Sequence, residues 1–272
     1  MNEIGRLDSD DRRELLAELD EIYKLLDKDK IKVAEKRLIQ VSKTPNYFVR
    51  EYLGKCFTNY ENKEKMLKIV EKMLKHRIYG VRATALFYLF NVYYDDVNKL
   101  FDLIEATFDS VPWEVETVVN DLWKRFPELM KERMKSWVIS DHYRKRALAF
   151  HGMEHIASSD PTYIMDLVGK TIDDEAMEVQ KKITHILSQV AKVNPIIVFP
   201  YIREWLAEAN DERIKTIWIA MKKLANLVVQ KNRFDHREEF VILTEQTIED
   251  WRHDENEKVT EMGERLFYII NR

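Results

Sequence analysis

Apolar residues return every three or four positions over most of the chain, in runs separated by short polar turns. That spacing predicts amphipathic helices, each with one buried face. No stretch alternates apolar and polar residues between hairpin turns, so no strand is expected. When the predicted helix starts are aligned, one element recurs: VREYLG at Val49, VRATAL at Val81, VETVVN at Val115, YRKRAL at Tyr143, VQKKIT at Val179, IKTIWI at Ile214 and, more loosely, VTEMGE at Val259. Successive copies begin 32, 34, 28, 36, 35 and 45 residues apart. Between copies lies a second amphipathic run, such as EKMLKIVEKML or VNKLFDLIEATF. Two helices per period of about 35 residues is the pattern of a HEAT-like solenoid.

The turns fit that period. Asp109-Ser110 ahead of Pro112, Ser140-Asp141, Asp173-Asp174 and Asn210-Asp211 put cap-forming side chains before a copy. Pro127, Pro161 and Pro195 fall at helix starts, where a missing N–H is harmless. The expected fold is all-α: a right-handed HEAT-like superhelix of about seven helical pairs, forming a single domain over 1–272. Residues 1–44 form an N-terminal helical cap, 45–233 the repeats and 234–272 a closing helical pair. Met66, Met73, Met130 and Met134, at helical spacing, read as core filler. Trp123 and Trp137 read as core too, and Trp113, directly after a Pro at a helix start, as an exposed aromatic.

Composition narrows the class. Six Gly and six Pro in 272 residues are too few for a β-rich chain. With 45% hydrophobic residues the chain fills a sizeable core and is not disordered. The one cysteine, Cys56, precludes an internal disulfide and reads as a buried, inert thiol in a reducing compartment. The first residues lack the apolar run of a signal peptide, and the longest apolar run, Pro195 to Ile202, is far short of a membrane span. The expectation is a cytoplasmic monomer with no membrane partner. A net charge of −4 argues against indiscriminate nucleic-acid binding but leaves room for a local basic groove.

Basic residues are unevenly spread. Arg144, Lys145 and Arg146, then Lys181 and Lys182, then Lys215, Lys222 and Lys223 fall on second helices of consecutive repeats. Stacking aligns them in one stripe, the arrangement a phosphate backbone requires. The competing reading is the solvated face of a highly charged protein. His151, Glu154 and His155 spell H-x-x-E-H, which on a helix puts two imidazoles one turn apart with a Glu beside them, as in an inverted zincin. Its place inside a repeat helix, with no third ligand marked downstream, favours an ordinary polar face. No glycine-rich phosphate loop, G-x-S-x-G or cysteine cluster is present, so no metal and no cofactor are expected.

The middle of the chain resembles the HEAT-like DNA alkylation repair family, the alkylpurine DNA glycosylases. The resemblance runs from about Ile78 to Trp205 and rests on the order SVPWEVETVV, RFPELM, KSWVISD, YRKRALAF, DDEAMEVQKKITHIL and KVNPIIVFPYIREW. It implies a concave cleft that holds duplex DNA by its backbone, an aromatic-lined pocket for the damaged nucleotide, and an aspartate that promotes loss of the cationic base. Such a carboxylate stabilises positive charge developing on the sugar. Carried over residue by residue, the first pocket Trp matches Trp113 and the backbone-clamping Arg matches Arg146, with Arg144 and Lys145 beside it. The catalytic Asp, four residues after the Trp, falls on Thr117. The second pocket Trp falls on His185. Glu116 is adjacent to Thr117, but one residue along a helix turns a side chain by about 100°. The family's N-terminal motif, a Met-Lys followed by a Phe-rich Gly-Ile segment, is absent from residues 1–60.

These readings converge on a DNA-binding member of the family whose base excision is lost or altered. Arg144, Lys145, Arg146, Lys181 and Lys182 would contact phosphates, and Trp113, Thr117 and His185 would face the nucleic acid. One alternative is an active alkylpurine glycosylase that uses Glu116. Another is a scaffold that takes a partner protein or peptide on the concave face.

Overall fold

The computed structural model describes residues 5–230 and 238–272. The expected boundary between repeats and closing pair, at 233 and 234, lies outside the described residues. Among the described residues the chain is built of helices and turns, with no strand. It divides into two compact units, Met1–Val118 and Val119–Arg272.

The first unit holds α1 (Ser9–Asp27), α2 (Ile31–Val41), α3 (Tyr47–Phe57), α4 (Lys63–Leu74), α5 (Tyr79–Val92), α6 (Val97–Thr107) and the start of α7 (Pro112–Arg125). α3 packs between α1 and α5, while α2, α4 and α6 form a second layer against α1 and α5. The α3–α5 contact is the closest. Gly54 makes it so: a Cβ there would lie 2.5 Å from Phe87 Cβ and 2.9 Å from the Thr84 carbonyl oxygen. Nearly every residue from Gly80 to Leu89 is buried, so α5 is the spine of this unit.

The second unit holds the rest of α7, then α8 (Pro127–Trp137), α9 (Tyr143–Ala149), α10 (Pro161–Gly169), α11 (Met177–Val193), α12 (Pro195–Ala207), α13 (Asp211–Val229), α14 (Glu238–Arg252) and α15 (Glu257–Ile270). One layer is the row α9, α11, α13, α15, and the other the row α10, α12, α14. Met66, Met73, Met130 and Met134 are fully buried, and Trp123 and Trp137 are 1% exposed. Each fully buried large apolar side chain contributes about 1.5–3 kcal/mol.

A side-chain brace marks the repeat. It stands at the fourth position of the helix and reaches back to carbonyls five and six residues earlier. Arg50 Nη1 donates to the Thr44 and Pro45 carbonyls, Arg82 Nη1 to His76 and Arg77, and Arg146 Nη1 to Ser140 and Asp141. Gln180 and Thr260 donate to the carbonyls six back, those of Asp174 and Asp254. The far end of the same side chain often engages a later turn: Arg82 donates to the Ser110 carbonyl, Arg146 to the Asp174 carboxylate, and Gln180 to Glu212.

This brace corrects part of the expected capping. Asn210 does cap α13, accepting from the Arg213 N–H. Asp173 and Asp174 take arginines, Arg213 and Arg146; Asp174 and Ser140 also accept the N–H groups of Ala176 and His142, while those two residues, at the cap positions of α11 and α9, make no side-chain cap of their own. The H-x-x-E-H segment also differs from expectation, because it is not inside a repeat helix. α9 closes after Ala149, Gly152 adopts a left-handed φ of 81°, and Met153–Ile156 form a 3-10 turn. A side chain at Gly152 would come within 2.6 Å of Trp123 Cδ1, so glycine there lets the turn close on the Trp123 ring.

Candidate functional site

Trp113, Glu116 and Thr117 belong to the first unit, and the other expected site residues belong to the second. Each group is built by its own elements.

In the first unit the first turn of α7 carries Trp113, Glu114 and Thr117 on one side of the helix, one turn apart in register. The helix starts of α3 and α5 bring Tyr47, Arg50 and Tyr79 against it. Arg50 Nε and Nη2 donate to Glu114 Oε1 at 3.0 and 2.6 Å, and the Tyr79 hydroxyl donates to Oε2 at 2.5 Å. The Arg50 and Glu114 side chains are 4% and 0% exposed. The guanidinium also lies 6.0 Å from the Tyr47 ring centre and 5.6 Å from that of Tyr79. Burial, then the neighbouring Glu114, pushes the Tyr79 phenol well above its ordinary range, so it stays a donor.

One turn further along, the Thr117 hydroxyl is 3.0 Å from the Tyr47 hydroxyl. Burial raises the Tyr47 pKa as well. Trp113 is 71% exposed, with its ring edge-on to Tyr79 at 6.3 Å. Glu116, between Glu114 and Thr117, is partly exposed. The site is therefore an aromatic surface of Tyr47, Tyr79 and Trp113 over a buried ion pair. A neutral hydroxyl stands where the family's carboxylate is expected, and the nearby Glu114 charge is matched by Arg50.

In the second unit the α9–α11–α13 row carries the expected basic stripe. Its members differ in what they are bound to. Arg146 is 20% exposed and spends four of its five N–H donors on Ser140, Asp141 and Asp174, with Nε 2.5 Å from Asp174 Oδ2. Asp174 raises its pKa further. Arg144 lies 3.9 Å from Glu178 and 5.7 Å from the Tyr143 ring centre, and Lys145 5.9 Å from that of Trp137. Lys182 Nζ is 2.9 Å from His151 Nδ1. Lys181 and His185 are exposed on the same helix.

Lys182, His185, Gln189 and Lys192 recur three and four apart, so they share one stripe of α11. The His185 imidazole is held below its ordinary 6.5. Partial burial is the first cause, Glu154 opposes it, and Lys223, Lys182 and Lys192 push the same way as burial. Lys192 is likewise lowered by burial and by Lys223. Burial is the main cause of both shifts, and Lys223 on α13 adds to each. Among the described residues no three His, Cys, Asp or Glu side chains converge as metal ligands. His155 is 2.8 Å from Asn120, and His151 is the neighbour of Lys182. No described helix is long and apolar enough to cross a membrane.

Sequence reasoning missed Tyr47, Arg50, Tyr79 and Glu114. A signal was present: Tyr-x-x-Arg opens α3, α5 and α9 at Tyr47, Tyr79 and Tyr143. Aligning copies on Val49, Val81 and Tyr143 set the third of them two residues out of register and hid the pattern.

Among the described residues these features define an all-helical repeat protein with an aromatic helix-start site in its first unit and a row of helices bearing basic residues in its second. A family model described as DNA alkylation repair enzyme matches residues 43–230, and the chain belongs to that family. No curated protein matches it. Among solved structures, an engineered protein is 13% identical, covering 97% of this chain and 95% of that one, with a TM-score of 0.38. A designed armadillo repeat protein in complex with the peptide (KR)4 is 16% identical, covering 92% of this chain and 98% of that one, with a TM-score of 0.28.

Proposed function

We propose that this chain is a DNA-binding member of the alkylation repair family that does not excise bases through a carboxylate at the helix start of α7. The observation that carries the reading is the pairing of Thr117 with Tyr47 beside a Glu114 already matched by Arg50 and Tyr79. Base loss from an alkylated purine builds positive charge on the sugar, and catalysis needs a negative charge preorganised next to it. Thr117 supplies none, and the buried Glu114 is neutralised where it stands.

Binding of duplex phosphates is assigned to the α9–α11–α13 row, chiefly Lys181, Lys182 and Arg144, with Lys145 and His185 beside them. Arg146 serves as a brace rather than as the principal phosphate contact. Trp113 is the aromatic available for stacking, since its ring is largely in solvent.

The test is a binding titration with a short duplex carrying an abasic-site analogue at two salt concentrations, with release of methylated purine followed in parallel. Salt-sensitive binding without base release is expected. Base release that disappears in Glu116→Gln would overturn the non-catalytic reading and establish that carboxylate. Absence of binding at low salt would sink the nucleic-acid reading and leave the scaffold.

A further inference from the structure

We infer that the outer layer of the first unit, helices α2 and α4, is a docking surface for an acidic peptide segment carrying apolar side chains. Two grooves of about 660 Å³ each lie along these helices. They share Lys72, whose Nζ pairs with Glu35 at 2.8 Å and ties α4 to α2. The first groove runs beside α2 and is lined by Val33 and Ile39 together with Lys32, Lys36 and Lys43. The second lies beside α4, with Ile31 and Ile69 in its lining and Lys68 and Lys75 at its edge. Val33 is 50% exposed, a β-branched apolar side chain left in water on a helix otherwise rich in lysine.

Charge chooses the occupant. Lys32, Lys36 and Gln40 recur four apart on α2, so its two lysines share one face, and Lys43, just past the end of the helix, lines the same groove. Of the acids at hand, Glu35 is paired with Lys72, Glu18 with Arg37, Asp29 with Lys65 and Glu64 with Lys68, while Glu71 lies in the lining of the second groove, so the first groove, with Lys32, Lys36 and Lys43, is the more cationic of the two. The surface left over is cationic and aliphatic together, counting the stems of the lysines themselves. A duplex backbone offers phosphates but nothing to fill an apolar lining. A peptide that alternates carboxylates with leucine-like side chains satisfies both at once. The eleven residues of α2 span about 16 Å, the length of three helical turns of a partner. This surface is separate from the residues to which DNA binding is assigned.

The experiment uses the full chain and a fluorescein-labelled peptide of alternating Glu-Glu and Leu-Leu pairs, read by anisotropy. Lys32→Glu with Lys36→Glu is expected to weaken binding about tenfold, the range that two exposed charge contacts support. Val33→Ser is expected to weaken it about threefold while leaving salt dependence unchanged. Both variants change exposed residues, and their duplex affinity is expected to match the wild type. The inference is overturned if the charge-reversed variant binds the peptide as wild type does, or if oligoglutamate of equal length binds equally well. It is also overturned if duplex affinity, not peptide affinity, falls in these variants, which would make the face part of a nucleic-acid footprint.

Discussion

Removing the carboxylate of Glu114 gives the clearest quantitative test of the first unit. In Glu114→Ala the Arg50 guanidinium keeps its two bonds to the Thr44 and Pro45 carbonyls but loses both bonds to Glu114. The Tyr79 hydroxyl loses its acceptor as well. The charge stays where it is, 4% exposed between two phenol rings, because the brace holds it there. An uncompensated buried charge costs about 3–5 kcal/mol. Against a total stability of about 5–15 kcal/mol that is a large share, and it corresponds to a fall in Tm on the order of 10 °C. Arg50→Met alone strands the carboxylate instead and is expected to cost a similar amount. Combining Arg50→Met with Glu114→Ala removes both charges, and its loss is expected to be smaller than the sum of the single losses. The assay is urea unfolding followed by circular dichroism, with the four proteins closing a double-mutant cycle. A cost below about 1 kcal/mol for Glu114→Ala, or additivity of the two single changes, would refute the buried-pair argument.

Three further predictions concern the second unit. Arg146→Ala is expected to lower stability by about 1–3 kcal/mol through loss of the brace to Ser140, Asp141 and Asp174. Lys181→Ala leaves stability unchanged and flattens the salt dependence of duplex binding by about one unit of slope; paired melting curves and salt titrations separate the two roles. The lowered pKa of His185 fixes a sign: the folded state takes up its proton at lower pH than the unfolded chain. Stability is therefore expected to fall as pH drops through 6.5, the ordinary value, toward the folded pKa, while duplex affinity rises as the ring charges. Urea midpoints that hold constant from pH 7 to pH 5, or that change identically in His185→Gln, would contradict this.

Much of the architecture is readable from periodicity. The buried stripes of α4, α6 and α11 recur three and four apart, and Pro127, Pro161 and Pro195 announce their helices. The exposed Trp113 and the buried Cys56, Trp123 and Trp137 also follow from position on a helix. What periodicity does not reveal is which polar groups meet. Asp174 before a helix reads as a cap, and it does accept the Ala176 N–H, but a guanidinium one repeat away binds both of its oxygens as well, a charged bidentate contact that local sequence does not announce. The same blindness hides Arg50 and Glu114, which are 64 residues apart and are joined only by the stacking of α3, α5 and α7. Gly152 carries a local sign that was overlooked. A glycine directly after Phe150-His151 in a helical pattern marks the end of that helix, and with it the end of any zincin geometry.

The brace at the fourth helical position fixes where repeats of this chain can be cut and rejoined. Its reach of five or six residues leaves no slack in the turn before α3, α5, α9, α11 or α15. A chimera joined within a braced turn separates the bracing side chain from its own carbonyls, while one joined in the turn after α3, α5, α9 or α11 transplants helix, turn and brace as a unit. Recombination is channelled away from the braced turns, and each helix start that carries Tyr47, Tyr79 or Tyr143 keeps its spacing.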